Sequence, residues 1–180
     1  MVQIVDPQSQ LGAGVSSEGL ETDSVILSRW AYFARKGTAW TVDSATIDID
    51  ATDTMLFVKN TGAKIVYLDW AIINGSNAIC EWTLGLGSAT TTPAGGTVLA
   101  FINANHKFSS DTPDAVSRSD ETAVATATTS LRFWTTIAGT AALPLVHNLE
   151  GFILGQNHYA QFTQVTESTS GSVTLGLHTE

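Results

Sequence analysis

Charge and reactive side chains are both scarce in this chain. Of its 180 residues, only 14% are charged, eight are lysine or arginine, and one is cysteine. The single cysteine excludes an internal disulfide. The small number of basic residues and the net charge of −9 disfavour a nucleic-acid-binding surface, because phosphate binding needs clustered lysine and arginine. No apolar run approaches the roughly 18 residues of a membrane-spanning helix. We expect neither nucleic acid nor a membrane as a partner.

The first residues also lack a targeting signal. The segment 1–7 has neither the basic stretch nor the apolar stretch of a secretory signal peptide. We therefore expect a soluble protein made in the cytoplasm.

What the chain does have is a repeated alternation of apolar and polar residues. Val173, Leu175 and Leu177 alternate with polar residues or glycine, and Cys80, Trp82, Leu84 and Leu86 do the same. A period of two is typical of a β-strand with one buried face, so Cys80 is predicted to be buried and inert. Strands are predicted at 46–50, 54–59, 65–73, 78–86, 97–103, 131–137, 151–154, 158–165 and 172–178. A weak edge strand is possible at 122–130.

Many short strands without intervening helices indicate an all-β fold. We predict an antiparallel β-sandwich of jelly-roll type, with a closed barrel as the alternative. In the central strand, Val66, Leu68, Trp70 and Ile72 form one apolar set, which predicts that Trp70 lies in the core. Turns are predicted at 60–62, 74–76, 155–157 and 170–171, and Asn74-Gly75 is the strongest hairpin signal.

The chain divides into an arm and a domain. Residues 1–38 are predicted to form an extended N-terminal arm and lead-in, and residues 39–180 the sandwich domain. The segment 24–36 fits either a short helix, which Ser24 would cap, or an extended path. Two loops interrupt the sheet, at 87–96 and at 105–120, and long loops often carry function or subunit contacts.

Residues that support catalysis or metal binding are few and widely spaced. None of the four histidines (His106, His147, His158 and His178) has a neighbour at metal-ligand spacing, which predicts surface or strand-end positions. Asp48, Asp50 and Asp53 lack the glycine and the distal glutamate of a calcium-binding EF-hand loop. Glu81, Asp69 and Glu150 are the acids available for glycoside hydrolysis, but the sequence does not place them together. We expect no enzyme activity, no metal and no cofactor.

Aromatic residues are the remaining candidates for contacts. Trp30, Tyr32 and Phe33 interleave with Arg29, Arg35 and Lys36, a pattern that suits either stacking on single-stranded nucleic acid or packing against the core or a neighbouring subunit. We favour packing. Exposed tryptophans at 30, 40 or 134 would suit either a subunit interface or sugar binding.

Two passages carry a resemblance to a known group of proteins. Met55-Leu56-Phe57-Val58-Lys59-Asn60-Thr61-Gly62, followed by 65–73, resembles the "apolar strand, Lys-Asn-Thr, apolar strand" passage of small tailed-bacteriophage virion proteins. The segment 149–159 and the closing strand 172–178 resemble the same proteins, which include jelly-roll capsid decoration (cement) proteins. The similarity spans about residues 54–178.

The resemblance implies a non-enzymatic virion protein that stabilises a phage capsid. It implies a homo-oligomer, expected to be a homotrimer, that binds the major capsid protein and is located in the virion. The alternative is a carbohydrate- or receptor-binding sandwich of a phage tail or head fibre. The residues predicted to contact other subunits or the capsid are Val2, Ile4, Val5, Trp30, Tyr32, Phe33 and Trp134.

Overall fold

The computed structural model describes residues 4–5, 12–13, 29–49, 54–76, 79–108, 110–120, 127–138, 141–142, 144–165 and 168–180. These residues form two antiparallel sheets, a two-stranded pair and one α-helix, α1 (Arg29–Lys36). The strands are β1 (Ile4–Val5), β2 (Gly12–Ala13), β3 (Ala39–Asp43), β4 (Ile47–Ile49), β5 (Thr54–Asn60), β6 (Val66–Gly75), β7 (Ile79–Ser88), β8 (Thr97–Val98), β9 (Ile102–Asn103), β10 (Ala115–Ser119), β11 (Thr128–Ala138), β12 (Ala141–Ala142), β13 (Leu145–Leu154), β14 (His158–Gln164) and β15 (Ser168–Thr179). The predicted all-β sandwich is confirmed.

The two sheets are built from strands that are distant in sequence. The seven-stranded sheet has the order β12-β11-β7-β14-β5-β10-β8. The six-stranded sheet has the order β13-β6-β15-β3-β9, and β4 also pairs with β15. Residues from both sheets form one core, including Trp82 and Leu84 from one sheet and Leu68 and Val173 from the other. The predicted inward faces of β7 and β15 are confirmed, and Cys80 is buried as expected.

The predicted hairpin at Asn74-Gly75 is wrong. Strands β6 and β7, which flank this turn, belong to different sheets and do not pair with each other. The turns at 60–62 and 155–157 likewise carry the chain from one sheet to the other. Ser170-Gly171 lies within β15, where the pairing with β4 shifts register. Turn-forming residues marked where strands end, but they did not determine which strands pair.

The predicted position of Trp70 in the core is also wrong. Gly176 of β15 pairs with Trp70 and Leu177 pairs with Leu68, so Asp69 is an extra residue that forms a β-bulge. The bulge reverses which side chains face inward along β6. Leu68 is therefore inward before it, Ala71 is inward after it, and Trp70 lies on the outer face.

Two loop predictions are corrected as well. The segment predicted as one strand over 97–103 is two short strands, β8 in one sheet and β9 in the other. The predicted loop at 105–120 contains β10, which pairs with β5 and β8. Strand β3 was not predicted. It pairs with β15 and β9 and places Trp40 and Val42 in the core.

The ambiguous segment before residue 37 contains the helix α1. Gly37 has a φ of 78°, a conformation that favours glycine, and it ends the helix. The Gly37 N–H donates to Ala34 O and the Thr38 N–H donates to Phe33 O, which is the hydrogen-bond pattern of a Schellman cap. The capping role predicted for Ser24 lies outside the described residues.

Candidate functional site

A dense group of polar and aromatic side chains lies where α1 packs on the outer face of the six-stranded sheet. Because Asp69 is the extra residue of the bulge, its carboxylate is directed at His178 on the neighbouring strand. His178 Nδ1 lies 2.8 Å from Asp69 Oδ2 and 3.0 Å from Oδ1. Both side chains are buried, with exposed fractions of 0% for His178 and 4% for Asp69. We name Asp69, His178 and Glu180, which lies next to them, the acid–histidine cluster.

Aromatic rings enclose His178 on both faces. Its ring stacks on Phe33 of α1, with ring centres 4.1 Å apart, and on Tyr67 of β6, with centres 4.8 Å apart. His178 and Tyr67 are partners across the strand pair. Arg29, one helical turn before Phe33, places its guanidinium carbon 4.2 Å from the centre of the Tyr67 ring. Two side chains of the helix thus contact the two members of one cross-strand pair.

An ion pair at the end of the chain joins this arrangement. Arg29 Nη2 donates to Glu180 Oε1 at 2.8 Å, and that hydrogen bond lowers the pKa of the Glu180 carboxyl below its ordinary value of 4.5. Burial raises the pKa of the Asp69 carboxyl above its ordinary value of 3.8, and the hydrogen bond from His178 opposes that rise only in part. The pKa values of the two acids are therefore shifted in opposite directions, upward for Asp69 and downward for Glu180.

Trp30 completes the contact between helix and sheet. Its ring packs edge-to-face on Trp70, with centres 5.7 Å apart. Trp70 in turn covers Gly176, where a Cβ atom would overlap the indole. Glycine is needed at position 176 because the Trp70 ring occupies the space that a side chain there would fill. The bulge, this glycine and the helix are parts of one packing arrangement.

A second candidate is a cleft of about 370 Å³ beside the segment 110–114. Its lining includes Trp40, Asn60, Lys64, Asp111 and Asp114. Trp40 is only 4% exposed and donates its indole N–H to Asp111 O at 2.8 Å, so its ring is used for packing. The Asn60 side chain bonds to backbone groups of Lys64, Leu154 and Gly62.

A third candidate is a pair of apolar edges. Val98 (68% exposed) and Ile102 (64%) lie on β8 and β9, which are edge strands of the two sheets. Val146 (66%) and Ile153 (52%) lie on β13, at the opposite end of the six-stranded sheet from β9. We name these the β8–β9 flank and the β13 flank. Exposed apolar residues on sheet edges are typical of interaction sites.

The structure places several of the predicted contact residues against this chain's own sheet. Trp30 and Phe33 pack on Trp70 and His178, while Tyr32 packs on Phe33 and has Lys36 Nζ 4.3 Å from its ring centre. Ile4 and Val5 form β1, which pairs with β2. Val2 lies outside the described residues. Trp134 lies in β11 opposite Glu81, and its side chain is not described.

The remaining candidates from the sequence are dispersed. His178 lies at a strand end, as one of the two predicted positions had it, but it is not at the surface, because α1 covers the end of β15. Asp69 and Glu150 lie on neighbouring strands, whereas Glu81 lies in the other sheet and pairs with Arg132. Asp50 and Asp53 lie outside the described residues, and the side chain of Asp48 is not described. No three His, Cys, Asp or Glu side chains among the described residues are placed to hold a metal ion.

Comparisons with known proteins give no relative for this chain. No protein-family model, no curated protein and no solved structure matches it. Among the described residues, no helix has the length and apolar character needed to cross a bilayer.

Proposed function

We propose that this chain is a non-enzymatic structural protein of a tailed-bacteriophage particle. It binds the capsid as a homo-oligomer, expected to be a trimer, and stabilises the shell as a decoration protein. The resemblance of the passages 55–73, 149–159 and 172–178 supports this assignment. The repeated crossing of the chain between the two sheets, as in β5-β6-β7 and β12-β13-β14-β15, supports the finer assignment of a jelly roll. The N-terminal residues would act as an arm that contacts a neighbour.

The observation that carries the proposal is the placement of apolar surface on edge strands. The four most exposed large apolar side chains of the described residues are Val98, Ile102, Val146 and Ile153, and all four lie on edge strands. Soluble proteins usually protect such edges with charged residues or proline. The segment 97–103 contains no charged residue at all. An uncharged apolar edge is suited to contact another protein surface.

The two flanks favour association between copies of this chain. They lie at opposite ends of the six-stranded sheet, so contact between one copy's β8–β9 flank and the next copy's β13 flank is head-to-tail. A head-to-tail contact generates a closed ring when its rotation closes. A trimer is the smallest such ring larger than a dimer. Several copies held together would bind a repeating capsid lattice through multivalency, even if each contact were weak.

Substitutions on the flanks test the association. Ile102→Glu and Val146→Glu should each convert the oligomer to a monomer, measured by light scattering across the micromolar range, because a buried unpaired charge opposes the contact. Ile65→Glu is the matched control, since Ile65 is exposed (40%) but precedes β6 rather than lying on an edge strand. A wild-type chain that is monomeric throughout this range would refute the proposed assembly.

The virion assignment needs a separate measurement. Wild-type protein should co-sediment with undecorated capsids of the phage that encodes it and should raise their resistance to heat. The monomeric flank variants should bind more weakly, because they lose multivalency. Absence of binding by an intact wild-type oligomer would refute the decoration function while leaving the self-association in place.

The carbohydrate-binding alternative has one observation in its favour, the cleft beside 110–114. Its volume of about 370 Å³ is in the range of small-ligand sites, and charged Lys64, Asp111 and Asp114 line it. A glycan array with wild-type protein and with Asp114→Asn tests this alternative. Glycan binding that depends on Asp114 would favour a receptor-binding module. Absence of binding to every glycan on the array would refute this alternative.

A further inference from the structure

The hydrogen bond between Asp69 and His178 determines where a neutral His178 ring carries its proton. An ionised carboxylate only accepts hydrogen bonds, so Nδ1 must be the donor to Asp69. In the neutral ring the other nitrogen, Nε2, is then a bare acceptor. The hydrogen bond to Asp69 thus selects the tautomer that carries its proton on Nδ1 and leaves Nε2 without one.

An unprotonated Nε2 of His178 would have no hydrogen-bond donor among the described residues. The atom is buried and has no hydrogen-bond partner. Its nearest charged neighbour is Glu180 Oε1 at 3.9 Å, which is itself an acceptor and is held by Arg29. A buried acceptor facing a carboxylate oxygen is unfavourable, because it has lost water and gained no donor.

A second proton on His178 would make the contacts of Nε2 favourable. Nε2 would become a donor directed toward Glu180, and the ring would carry a positive charge paired with Asp69. The charged ring would also lie between the faces of Phe33 and Tyr67, an arrangement that favours a cation. Phe33 belongs to α1, so the strength of the contact between helix and sheet depends on the protonation state of His178.

We propose that the acid–histidine cluster is a proton-operated latch for α1: the helix is held more tightly when both ring nitrogens of His178 carry protons and loosens when one proton is lost. Docking and protonation are reciprocally linked, because the docked helix supplies Phe33 and Arg29 to the site. This latch is independent of the proposed virion function, since it concerns only the attachment of the helix to its own sheet.

The charged groups around His178 determine the direction of the helix's response to pH and the pH range over which it holds. Asp69 and Glu180 lie near its two nitrogens, and Arg29 from the helix is paired with Glu180. Tyr67 stacks on the ring, and Glu150 of β13 acts electrostatically on Asp69. Because Arg29 lowers the pKa of Glu180, that acid stays charged under mildly acidic conditions. Protonation of Asp69 in stronger acid would remove the negative charge that pairs with the protonated ring and reverse the gain.

Hydrogen exchange measured by mass spectrometry tests the latch. Protection of the helix amides, corrected for intrinsic exchange, should rise on the order of tenfold when the pH is lowered from about 8 to about 6. Amides of β14 in the same molecule serve as the internal reference and should not show this rise. His178→Gln should abolish the pH response of the helix, whereas His158→Gln, which removes an exposed histidine, should retain it.

Two further variants apply if His178→Gln fails to fold. Glu180→Gln removes the carboxylate that faces Nε2, so it should reduce the pH response. Arg29→Gln leaves that carboxylate in place, so it should lower helix protection at every pH while preserving the response. Helix protection that is independent of pH in the wild type, or a full pH response in either His178→Gln or Glu180→Gln, would overturn the proposal.

Discussion

Lys59 is a charged side chain buried on the outer face of the seven-stranded sheet. It is 2% exposed, and its Nζ lies 3.2 Å from both Thr90 O and Thr91 O and 3.4 Å from Thr92 Oγ1. Neutral oxygens of one loop thus replace the water that the ammonium group loses on burial. The lysine fixes the threonine-rich loop over the sheet.

Replacing Lys59 with methionine should release that loop. Methionine has a similar length but no donor, so two backbone oxygens lose their partner, at a cost of about 1–3 kcal/mol in the free energy of unfolding. Urea denaturation measures the loss, and limited proteolysis should show new cleavage within residues 89–96. The control, Lys64→Met, changes an exposed lysine and should leave both measurements unchanged. Equal effects of the two substitutions would contradict this role of Lys59.

The Arg29–Glu180 pair should stabilise the protein only where Glu180 is ionised. Arg29 lowers the folded-state pKa of Glu180, so this stability is present above the unfolded value near 4.5 and is lost as the pH falls through the lowered folded value. Both side chains are more than one-third exposed, at 45% and 39%, so solvent screening limits the coupling to about 0.2–1 kcal/mol.

A double-mutant cycle measures this coupling. Arg29→Gln, Glu180→Gln and the double variant are unfolded with urea at neutral pH and again well below pH 4.5, the ordinary value for Glu180. The coupling energy should be present in the first condition and absent in the second. A coupling that persists in acid would show that the interaction is not the ion pair.

At the scale of elements, β6 shows where sequence patterns stop being informative. Its apolar residues favour a strand, and a strand is what forms. The pattern Val66, Leu68, Trp70, Ile72 then predicts the wrong face for its second half, because the bulge at Asp69 inserts one residue. Assigning alternate residues to opposite faces is valid only where the strand pairs with its neighbour without a bulge. The Asp69–His178 pair was missed for the same reason, since only the bulge directs Asp69 toward β15.

The side chain of Trp40 is one of the attachments that hold the segment 110–114 on the sandwich; the Thr61 and Gly62 N–H groups, which donate to Asp114 O, are others. Replacing Trp40 with phenylalanine retains a ring in the core but removes the donor to Asp111 O, so the segment should become sensitive to protease. The expected loss of stability is about 1–3 kcal/mol. Trp82→Phe is the control, because Trp82 is fully buried in the core away from this segment and should lower global stability without selective cleavage there. Selective cleavage in both variants would contradict the attachment.

At the scale of the whole molecule, the flanks predict how association responds to salt. The exposed edges carry apolar side chains, and the 97–103 segment is uncharged, so the contact should depend on apolar burial rather than on ion pairs. The oligomer should therefore persist when sodium chloride is raised into the molar range, as measured by sedimentation velocity. Dissociation by salt would indicate an electrostatic interface located elsewhere.

The chain by itself determined the local properties of this protein. Alternation predicted most strands and the inward faces of β7 and β15, because a period of two is a property of neighbouring residues. Composition and spacing likewise showed how few residues are available for chemistry.

Only the tertiary structure decided which strands pair, which loop side chains are buried, and that His178 lies between Phe33 and Tyr67. The chain crosses repeatedly between the two sheets, and most pairings join residues far apart in sequence. Such pairings are selected by burial of the whole core rather than by any local pattern.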